Sequence, residues 1–337
     1  MTDAYIVGAV RSAGGKKNGR LSKIHPIDLG AEVVDALVAK TGVAVAEIDD
    51  LIFGCVSQVG AQSSNIARNI CLSSVLGEVV PGTTVDRQCG SGQQAMHFAA
   101  QGVLSGTQDL VIAGGVESMS QVPIGANIID GYKAEHGLPY GKKMSERYPG
   151  VQFNQFAGAE MLAHKYELTQ DELNAFAFDS HVKAKRAVVE GRFKEEIVAI
   201  QIELEDGTTE SHEQDEGIRM DATLGAIAGL QPLQENGLLS AANASQICDG
   251  AAAVMIANGA TCKRLGLKPL ARIVAMSVIG SDPVIMLEGP IPATKKVLEK
   301  AKLSVDDIDL FEVNEAFGSV PLAWVKALGA DISKLNV

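Results

Sequence analysis

The sequence has few aromatic residues and no cysteine arrangement typical of a metal site or a disulfide framework. Phe, Trp and Tyr make up 4% of its 337 residues, and there is a single Trp. The five cysteines are odd in number and form neither a CxxC pair nor a Cys/His cluster. We therefore expect no metal, no disulfides and a reducing, cytoplasmic compartment.

Basic patches and long apolar runs are also missing. The net charge is -12, and Lys and Arg are scattered rather than gathered into a stripe, which argues against a nucleic-acid partner. No apolar run approaches the roughly 20 residues of a membrane span, so no membrane partner is expected. The first residues, MTDAYIVGAVR, lead into a strand-like run and do not resemble a signal or transit peptide.

What the sequence does contain is an alternation of strand-like and helix-like segments, rich in Gly and Ala. Strands are predicted over 5–10, 51–56, 83–88 and 110–114, and helices over 26–40, 65–76 and the residues after 89. This alternation predicts a mostly parallel sheet with helices on both faces. The length allows two domains or one duplicated domain.

The alternation is interrupted between residues 118 and about 237. This segment contains a predicted helix pair, 158–166 and 170–190, and Thr169 with Glu172 three residues on forms a capping box. Long insertions between strands are more often lids or binding loops than simple connectors. A further buried strand is predicted over 251–257.

At residue 271 the alternation begins again. Strands are predicted over 272–279 and 310–313, and helices over 292–302 and 316–328, which repeats the opening of the first half. The first half continues through further elements that have no counterpart in the second. Because a half-built sheet exposes an unpaired edge, we expect the sequence to be part of a chain about 50–60 residues longer.

One segment, VDRQCGSGQQA (85–95), predicts a strand, a tight turn and a helix, with Cys89 at the helix N-terminus. Free N–H groups and the positive end of the helix dipole favour negative charge on a side chain at that position. Gly90 and Gly92 would let a substrate approach the backbone closely. This pattern indicates a nucleophilic cysteine beside an oxyanion hole, although an inert core cysteine is the alternative.

Two further segments carry polar or small residues where a ligand could bind. NEAF (314–317) follows an apolar strand-like run, a position where α/β proteins bind ligands, although Asn314 could simply cap the next helix. LSAANASQICDGAAA (239–253) could lie flat against a slender ligand, although small residues also allow close helix–sheet packing.

Together with GGVESMS (114–120) and EGRF followed by EEIV (190–198), these segments resemble the thiolase family, and the resemblance covers the whole chain. It implies an α/β protein with a duplicated five-layer αβαβα fold. The implied domains are an N-terminal half (1–117), an inserted loop domain that binds substrate (118–249), the end of the N-terminal half (250–270) and an incomplete C-terminal half (271–337).

The resemblance also implies a role for each matched site residue. Cys89 would be the nucleophile that accepts the acyl group, and its N–H would contribute to one oxyanion hole. Asn314 would hold a water molecule that donates to the thioester oxygen. Arg219 would lie near the adenine and phosphate end of coenzyme A, and Phe317 would form a wall near the thioester. The pantetheine tunnel would be lined by small residues, namely Ala241, Ala244 and Ser245.

The implied activity is thiolytic cleavage of 3-oxoacyl-CoA, or the reverse condensation, through an acyl-Cys89 intermediate. CoA and acyl-CoA would be substrates, and no metal or redox cofactor would be needed because the thioester acidifies the α-carbon. The family association implies a homodimer or homotetramer, with 83–88 as a pairing strand across the interface.

The sequence departs from the family pattern at three places. The GHP loop, whose His activates the nucleophile, and the CxG cysteine, which handles the α-carbon proton, do not occur among the 337 residues. His97 is interpreted as structural, and the other four cysteines as core or surface thiols. NQFAGAE (154–160) stands where short-chain thiolases have HMGxTAE, which favours bulkier acyl or steroid side-chain substrates.

Three alternative functions remain from the sequence. A ketoacyl-synthase-like condensing enzyme would share the fold, but NEAF and the loop domain argue against it. A non-catalytic binding or scaffold protein would fit a chain that ends at Val337. A dinucleotide-binding oxidoreductase is suggested by GAVRSAGGKKNG (8–19), but no GxGxxG follows a strand.

Overall fold

The computed structural model describes residues 3–204 and 206–337. Ten strands occur in these ranges: β1 (Ala4–Ser12), β2 (Gly15–Lys16), β3 (Asp50–Gly54), β4 (Gly82–Val85), β5 (Leu110–Ser118), β6 (Ile197–Val198), β7 (Ile200–Glu203), β8 (Thr209–His212), β9 (Cys248–Asn258) and β10 (Ala271–Arg272).

Eleven α-helices accompany them in the same ranges: α1 (Pro26–Thr41), α2 (Ile66–Ser73), α3 (Ser91–Ser105), α4 (Ala126–Lys133), α5 (Lys142–Arg147), α6 (Gln155–Lys165), α7 (Gln170–Val189), α8 (Leu224–Ala228), α9 (Gly259–Leu265), α10 (Pro290–Ala301) and α11 (Ser319–Leu328). None of the helices in the described part of the chain is long and apolar enough to cross a bilayer.

The main sheet is mixed, with the strand order β10-β1-β9-β5-β3-β4. The β3–β4 and β3–β5 pairs are parallel, whereas β9 runs antiparallel to both β1 and β5. The prediction of a mostly parallel sheet is therefore wrong. Strand β9 follows the long insertion rather than a short crossover helix, so the right-handed crossover rule does not fix its direction.

The chain divides into two compact units. Unit 1 contains the residues up to Pro139, Phe193–Gly217 and Gln246–Ile273, and unit 2 contains Tyr140–Arg192, Ile218–Ser245 and Val274–Val337. In unit 1, α1 buries an apolar stripe at helical spacing, Leu29, Val33 and Leu37, in the main core. In unit 2, the core gathers around Trp324 of α11, which is 1% exposed.

Most predicted elements of the first half are present, often with shifted ends. The 83–88 strand ends at Val85, because the chain turns at Asp86 toward α3. The capping box of Thr169 and Glu172 at the start of α7 is confirmed. In α3, Ala95, Ala99 and Val103 are fully buried, whereas Phe98 is 40% exposed.

The second half contains fewer strands than predicted. Of the predicted strand 272–279, only Arg272 lies in the two-residue strand β10, which pairs with β1. The predicted strand 310–313 is reduced to a single bridge between Phe311 and Leu335. β-branched composition favours an extended backbone, but a strand also requires a paired neighbour. The helix predicted over 316–328 begins at Ser319.

Candidate active site

Cys89 lies in a sharp turn between β4 and α3. Its side chain is exposed, and α3 begins two residues later, at Ser91. The preceding residue, Gln88, has φ +48°, a left-handed conformation that is costly for a residue with a side chain. The carboxylate of Asp86 accepts a hydrogen bond from the Gln88 N–H at 2.7 Å and stabilises this conformation. The predicted strand, turn and helix around Cys89 are thus present.

Ser91 closes the turn from the other side. Its Oγ accepts from the Arg87 N–H at 2.8 Å and donates to the Gln88 carbonyl at 2.6 Å. No side chain caps α3, whose N-cap is Gly90. The N–H of Cys89 has no acceptor among the described residues. An uncapped helix start beside a free N–H is an environment that stabilises negative charge on an oxygen or a thiolate.

A glycine lets the start of α3 lie directly on the sheet. Gly54 of β3 pairs with Gly115 of β5, and a Cβ on Gly54 would stand 2.5 Å from the nitrogen of Gly92. A Cβ on Gly115 would stand 3.6 Å from the Cα of Gly92. A separation of 3.6 Å is an ordinary van der Waals contact, so Gly54 is the glycine whose missing side chain lets the start of α3 lie directly on the sheet.

Two carboxylates hold the loops next to these strands. Glu117 accepts hydrogen bonds from the N–H groups of Val56 (2.8 Å) and Ser57 (3.1 Å) and from the Gln62 side chain (2.8 Å). Asp249, which is 1% exposed, accepts from the Ser120 N–H at 2.8 Å. The acidic residues of the GGVESMS and CDG segments therefore stabilise backbone turns.

Four other titratable groups of unit 1 have pKa values shifted in the direction that keeps them neutral. Burial, with the nearby Glu117 carboxylate, raises the pKa of the Cys55 thiol to about 12, and burial raises that of Cys71 to about 11. Packing and the carboxylates of Asp249 and Glu117 raise the pKa of Cys248. Burial and the charge of Arg87 lower the pKa of His97. None of these three thiols is therefore poised to act as a thiolate at neutral pH, and the His97 imidazole is held in its neutral form.

In unit 2, small residues form a turn that side-chain hydrogen bonds stabilise. Residues Ala241–Asn243 make one turn of 3₁₀-helix. The Asn243 side chain accepts a hydrogen bond from the Ser240 N–H, and the Ser240 side chain accepts one from the Ala242 N–H. The Asn243 side chain donates to Oδ1 of Asn174 on α7 at 3.1 Å. Ala241 and Ser245 are exposed and Ala244 is half-buried, so this turn presents a smooth surface with few bulky side chains.

The NEAF segment runs alongside this turn. Ala244 pairs antiparallel with Phe317, and the Ser245 N–H donates to the Ala316 carbonyl at 3.0 Å. The Gly318 N–H donates to the Asn243 carbonyl at 2.7 Å. Ala241, Ala244, Ser245 and Phe317 thus belong to one local structure, although 239–253 and 314–317 are far apart in the sequence.

Asn314 is exposed, and Asn336 fixes the peptide groups on both sides of the preceding residue, Val313. The side chain of Asn336 accepts from the Val313 N–H and donates to the Val313 carbonyl, each at 2.9 Å. It also donates to the Glu315 carboxylate at 2.8 Å. Asn314 does not cap a helix, because α11 begins five residues later with Gly318 at its N-cap. The capping alternative for Asn314 is therefore wrong.

Helix α7 connects these parts of unit 2. Besides Asn174, it supplies Ser180, which donates to the Glu315 carboxylate at 2.8 Å, and His181, whose Nδ1 accepts from the Arg219 N–H at 3.3 Å. Asn174 and His181 are two helical turns apart and lie on the same face. Arg219 itself is exposed.

Several of these supporting residues carry little sequence signal. Asn336 and Ser180 lie outside every matched motif, and Asn174, which is 3% exposed, is an isolated polar residue within a helix. Of the seven predicted site residues, Cys89 belongs to unit 1 and the other six to unit 2.

Comparison with known proteins identifies the family. Residues 4–260 match the thiolase N-terminal domain, and residues 267–337 match the thiolase C-terminal domain. This chain belongs to the thiolase family. The crystal structure of an acetyl-CoA acetyltransferase from Bacillus anthracis superimposes on this thiolase with a TM-score of 0.90 at 36% identity, covering 100% of this chain and 86% of that one. The predicted fold class is confirmed.

Two sequence relatives match nearly the whole of this chain. A steroid 3-ketoacyl-CoA thiolase from Mycobacterium tuberculosis is 45% identical over 338 residues, covering 100% of this chain and 82% of that protein. A 3-ketoacyl-CoA thiolase from Acinetobacter baumannii is 40% identical over 341 residues, covering 99% of this chain and 85% of that protein.

Proposed function

We propose that this thiolase cleaves 3-oxoacyl-CoA by thiolysis, with Cys89 as the acyl acceptor. The observation that carries the proposal is the exposed Cys89 beside the uncapped start of α3. The thiolate attacks the C3 carbonyl, the C2–C3 bond breaks, and the bond electrons form the enolate of acetyl-CoA, which takes up a proton at C2. This proton is balanced by the one that the thiol of free CoA loses when it becomes the attacking thiolate. The thiolate of free CoA then attacks the Cys89 thioester and releases the shortened acyl-CoA.

The backbone N–H of Cys89 and a water molecule held by Asn314 would each stabilise negative charge that develops in these steps. The free N–H of Cys89 is available to an oxyanion of the tetrahedral intermediate. Asn314 would hold a water molecule that donates to the thioester oxygen of the enolate. The thioester itself acidifies the α-carbon, so the proposed chemistry requires no metal or redox cofactor.

Coenzyme A would bind along the small-residue turn of unit 2. Ala241, Ala244 and Ser245 offer a shallow surface to the slender pantetheine arm, and Phe317 would form its wall near the thioester. The exposed Arg219 would meet the adenine and phosphate end. We propose degradation of bulkier acyl-CoA substrates, which NQFAGAE (154–160) and the likeness to a steroid 3-ketoacyl-CoA thiolase support.

We also propose that the protein is a cytoplasmic homodimer or homotetramer. Strand β4 lies at the end of the sheet order, and the segment before it exposes apolar side chains, among them Leu72 (52%), Val75 (53%) and Val79 (75%). An edge strand with apolar neighbours favours pairing with a second copy. Light scattering coupled to gel filtration would contradict the proposal if the protein eluted as a monomer.

Thiolysis is tested on the product of the complete reading frame that encodes this chain. A 3-oxoacyl-CoA with free CoA should yield acetyl-CoA and the shortened acyl-CoA with ping-pong kinetics. Cys89→Ala should lower kcat at least about 10⁴-fold and leave CoA affinity unchanged. CoA binding without measurable thiolysis in the wild-type protein would contradict the proposal and support the binding-protein alternative.

A further inference from the structure

Phe156, at the start of α6, has an aromatic ring that the rest of unit 2 covers only in part. Its side chain is 41% exposed, and its ring packs against that of Phe317 in a T-shaped arrangement, with centroids 5.2 Å apart and planes at 74°. Phe317 is 2% exposed, so Phe156 covers it and presents the outer apolar surface of the pair. A large apolar side chain with this exposure is available for contact with a ligand.

The position of Phe156 is fixed by its helix. The side chain of Asn154 caps α6 and accepts from the N–H groups of Phe156 at 2.8 Å and Ala157 at 3.3 Å. Two residues after Phe156, a Cβ at Gly158 would stand 2.8 Å from the Ile285 carbonyl oxygen, so the helix packs directly on that segment. A ring held in this way presents a defined surface rather than a mobile one.

Phe156 also lies next to the segment to which the proposed function assigns the thioester. Phe317, its ring partner, pairs through its backbone with Ala244. If the pantetheine arm follows that turn, the thioester ends near Phe317. Because the Phe156 ring packs on that of Phe317 and is partly exposed, an acyl group that extends beyond the thioester could contact it.

We propose that Phe156 is a specificity-determining residue that contacts the acyl group and favours cyclic or branched acyl groups over acetyl. This inference rests on the proposed function. A ring of six carbons that packs on Phe156 loses its contact with water, whereas a two-carbon acetyl group is too short to gain that contact. Apolar contacts of this kind discriminate between substrates by about one or two orders of magnitude.

The inference is tested by binding, in a Cys89→Ala background of the complete protein that prevents acyl transfer. Calorimetry gives the Kd of CoA, acetyl-CoA and cyclohexanecarbonyl-CoA. With Phe156 present, cyclohexanecarbonyl-CoA should bind about tenfold more tightly than acetyl-CoA. Phe156→Ala should reduce this ratio to about one, and Phe156→Leu should give an intermediate value.

Met161 provides a matched control on the same helix. It is 45% exposed and lies about 140° around the helix axis from Phe156, so Met161→Ala should leave the ratio unchanged. An unchanged Kd for CoA in each variant would show that the fold is intact. A ratio that persists in Phe156→Ala would overturn the inference alone, whereas failure of the parent protein to bind CoA would overturn the proposed function.

Discussion

At the scale of single residues, the five cysteines differ in exposure, and burial raises the pKa of the thiols of Cys55 and Cys71. Cys55 and Cys71 are buried, and their pKa values are raised to about 12 and about 11. Cys89 is exposed at the uncapped start of a helix. The same residue type is thus packed in the core in two places and accessible to reagents at a helix start in another.

We predict that iodoacetamide modifies Cys89 before any other cysteine of the native protein at pH 7.5. Cys248 is also exposed, but its raised pKa keeps its thiol protonated, and Cys55 and Cys71 are protected by burial. Peptide mapping by mass spectrometry after brief labelling measures the order. Equal labelling of Cys55 and Cys89 in the folded protein would contradict the assignment.

The same pKa shifts predict a loss of stability at alkaline pH. The native state keeps the proton of Cys55 up to a pH near 12, whereas the thiol of the unfolded chain loses it near pH 8.5. Between these values the unfolded state binds fewer protons, so the free energy of unfolding falls as pH rises. Measured by urea unfolding from pH 8 to 11, the free energy of unfolding should fall less in Cys55→Ala than in the wild-type protein. An equal fall in the two proteins would contradict this prediction.

At the scale of elements, the strands and helices that carry local signals follow the sequence closely. The helix after Cys89 and the capping box of α7 are examples, because apolar periodicity and N-terminal caps act within a few residues. The scaffold role of α7 could not be predicted. Its contacts through Asn174, Ser180 and His181 join segments that are distant in the sequence, and only the tertiary structure brings them together.

The close contact between α3 and the sheet leads to a specific prediction about Gly54. In Gly54→Ala, the added methyl group would overlap the backbone at Ser91 and Gly92 and push the Cys89 turn away from β3. We expect destabilisation of about 1–3 kcal/mol and slower alkylation or acylation of Cys89. Urea unfolding and the rate of labelling at Cys89 measure the two effects.

Gly131 of α4 is the matched control for this substitution. A Cβ at Gly131 has no atom within 4 Å among the described residues, and the residue lies inside a helix. Gly131→Ala should therefore leave Cys89 unaffected and stabilise the protein by up to about 1 kcal/mol. If both substitutions had the same effect, the close contact between β3 and α3 would not be what positions the turn.

At the scale of the whole molecule, local sequence patterns could not predict the direction of β9 in the main sheet. A strand that returns after an insertion of more than 100 residues can enter the sheet in either direction, and here it lies antiparallel between β1 and β5. The order of the motifs along the chain nevertheless indicated the family correctly, because five matched segments constrain the fold more than any one strand.

The central claim is that Cys89 accepts the acyl group of a 3-oxoacyl-CoA. The most direct test is mass spectrometry of the complete protein, quenched in acid shortly after it is mixed with substrate in the absence of free CoA. We predict one acyl group per chain, located on the peptide that contains Cys89 and absent in Cys89→Ala. An acyl group that persists in Cys89→Ala, or that maps to Cys248 or another residue in the wild-type protein, would contradict the claim.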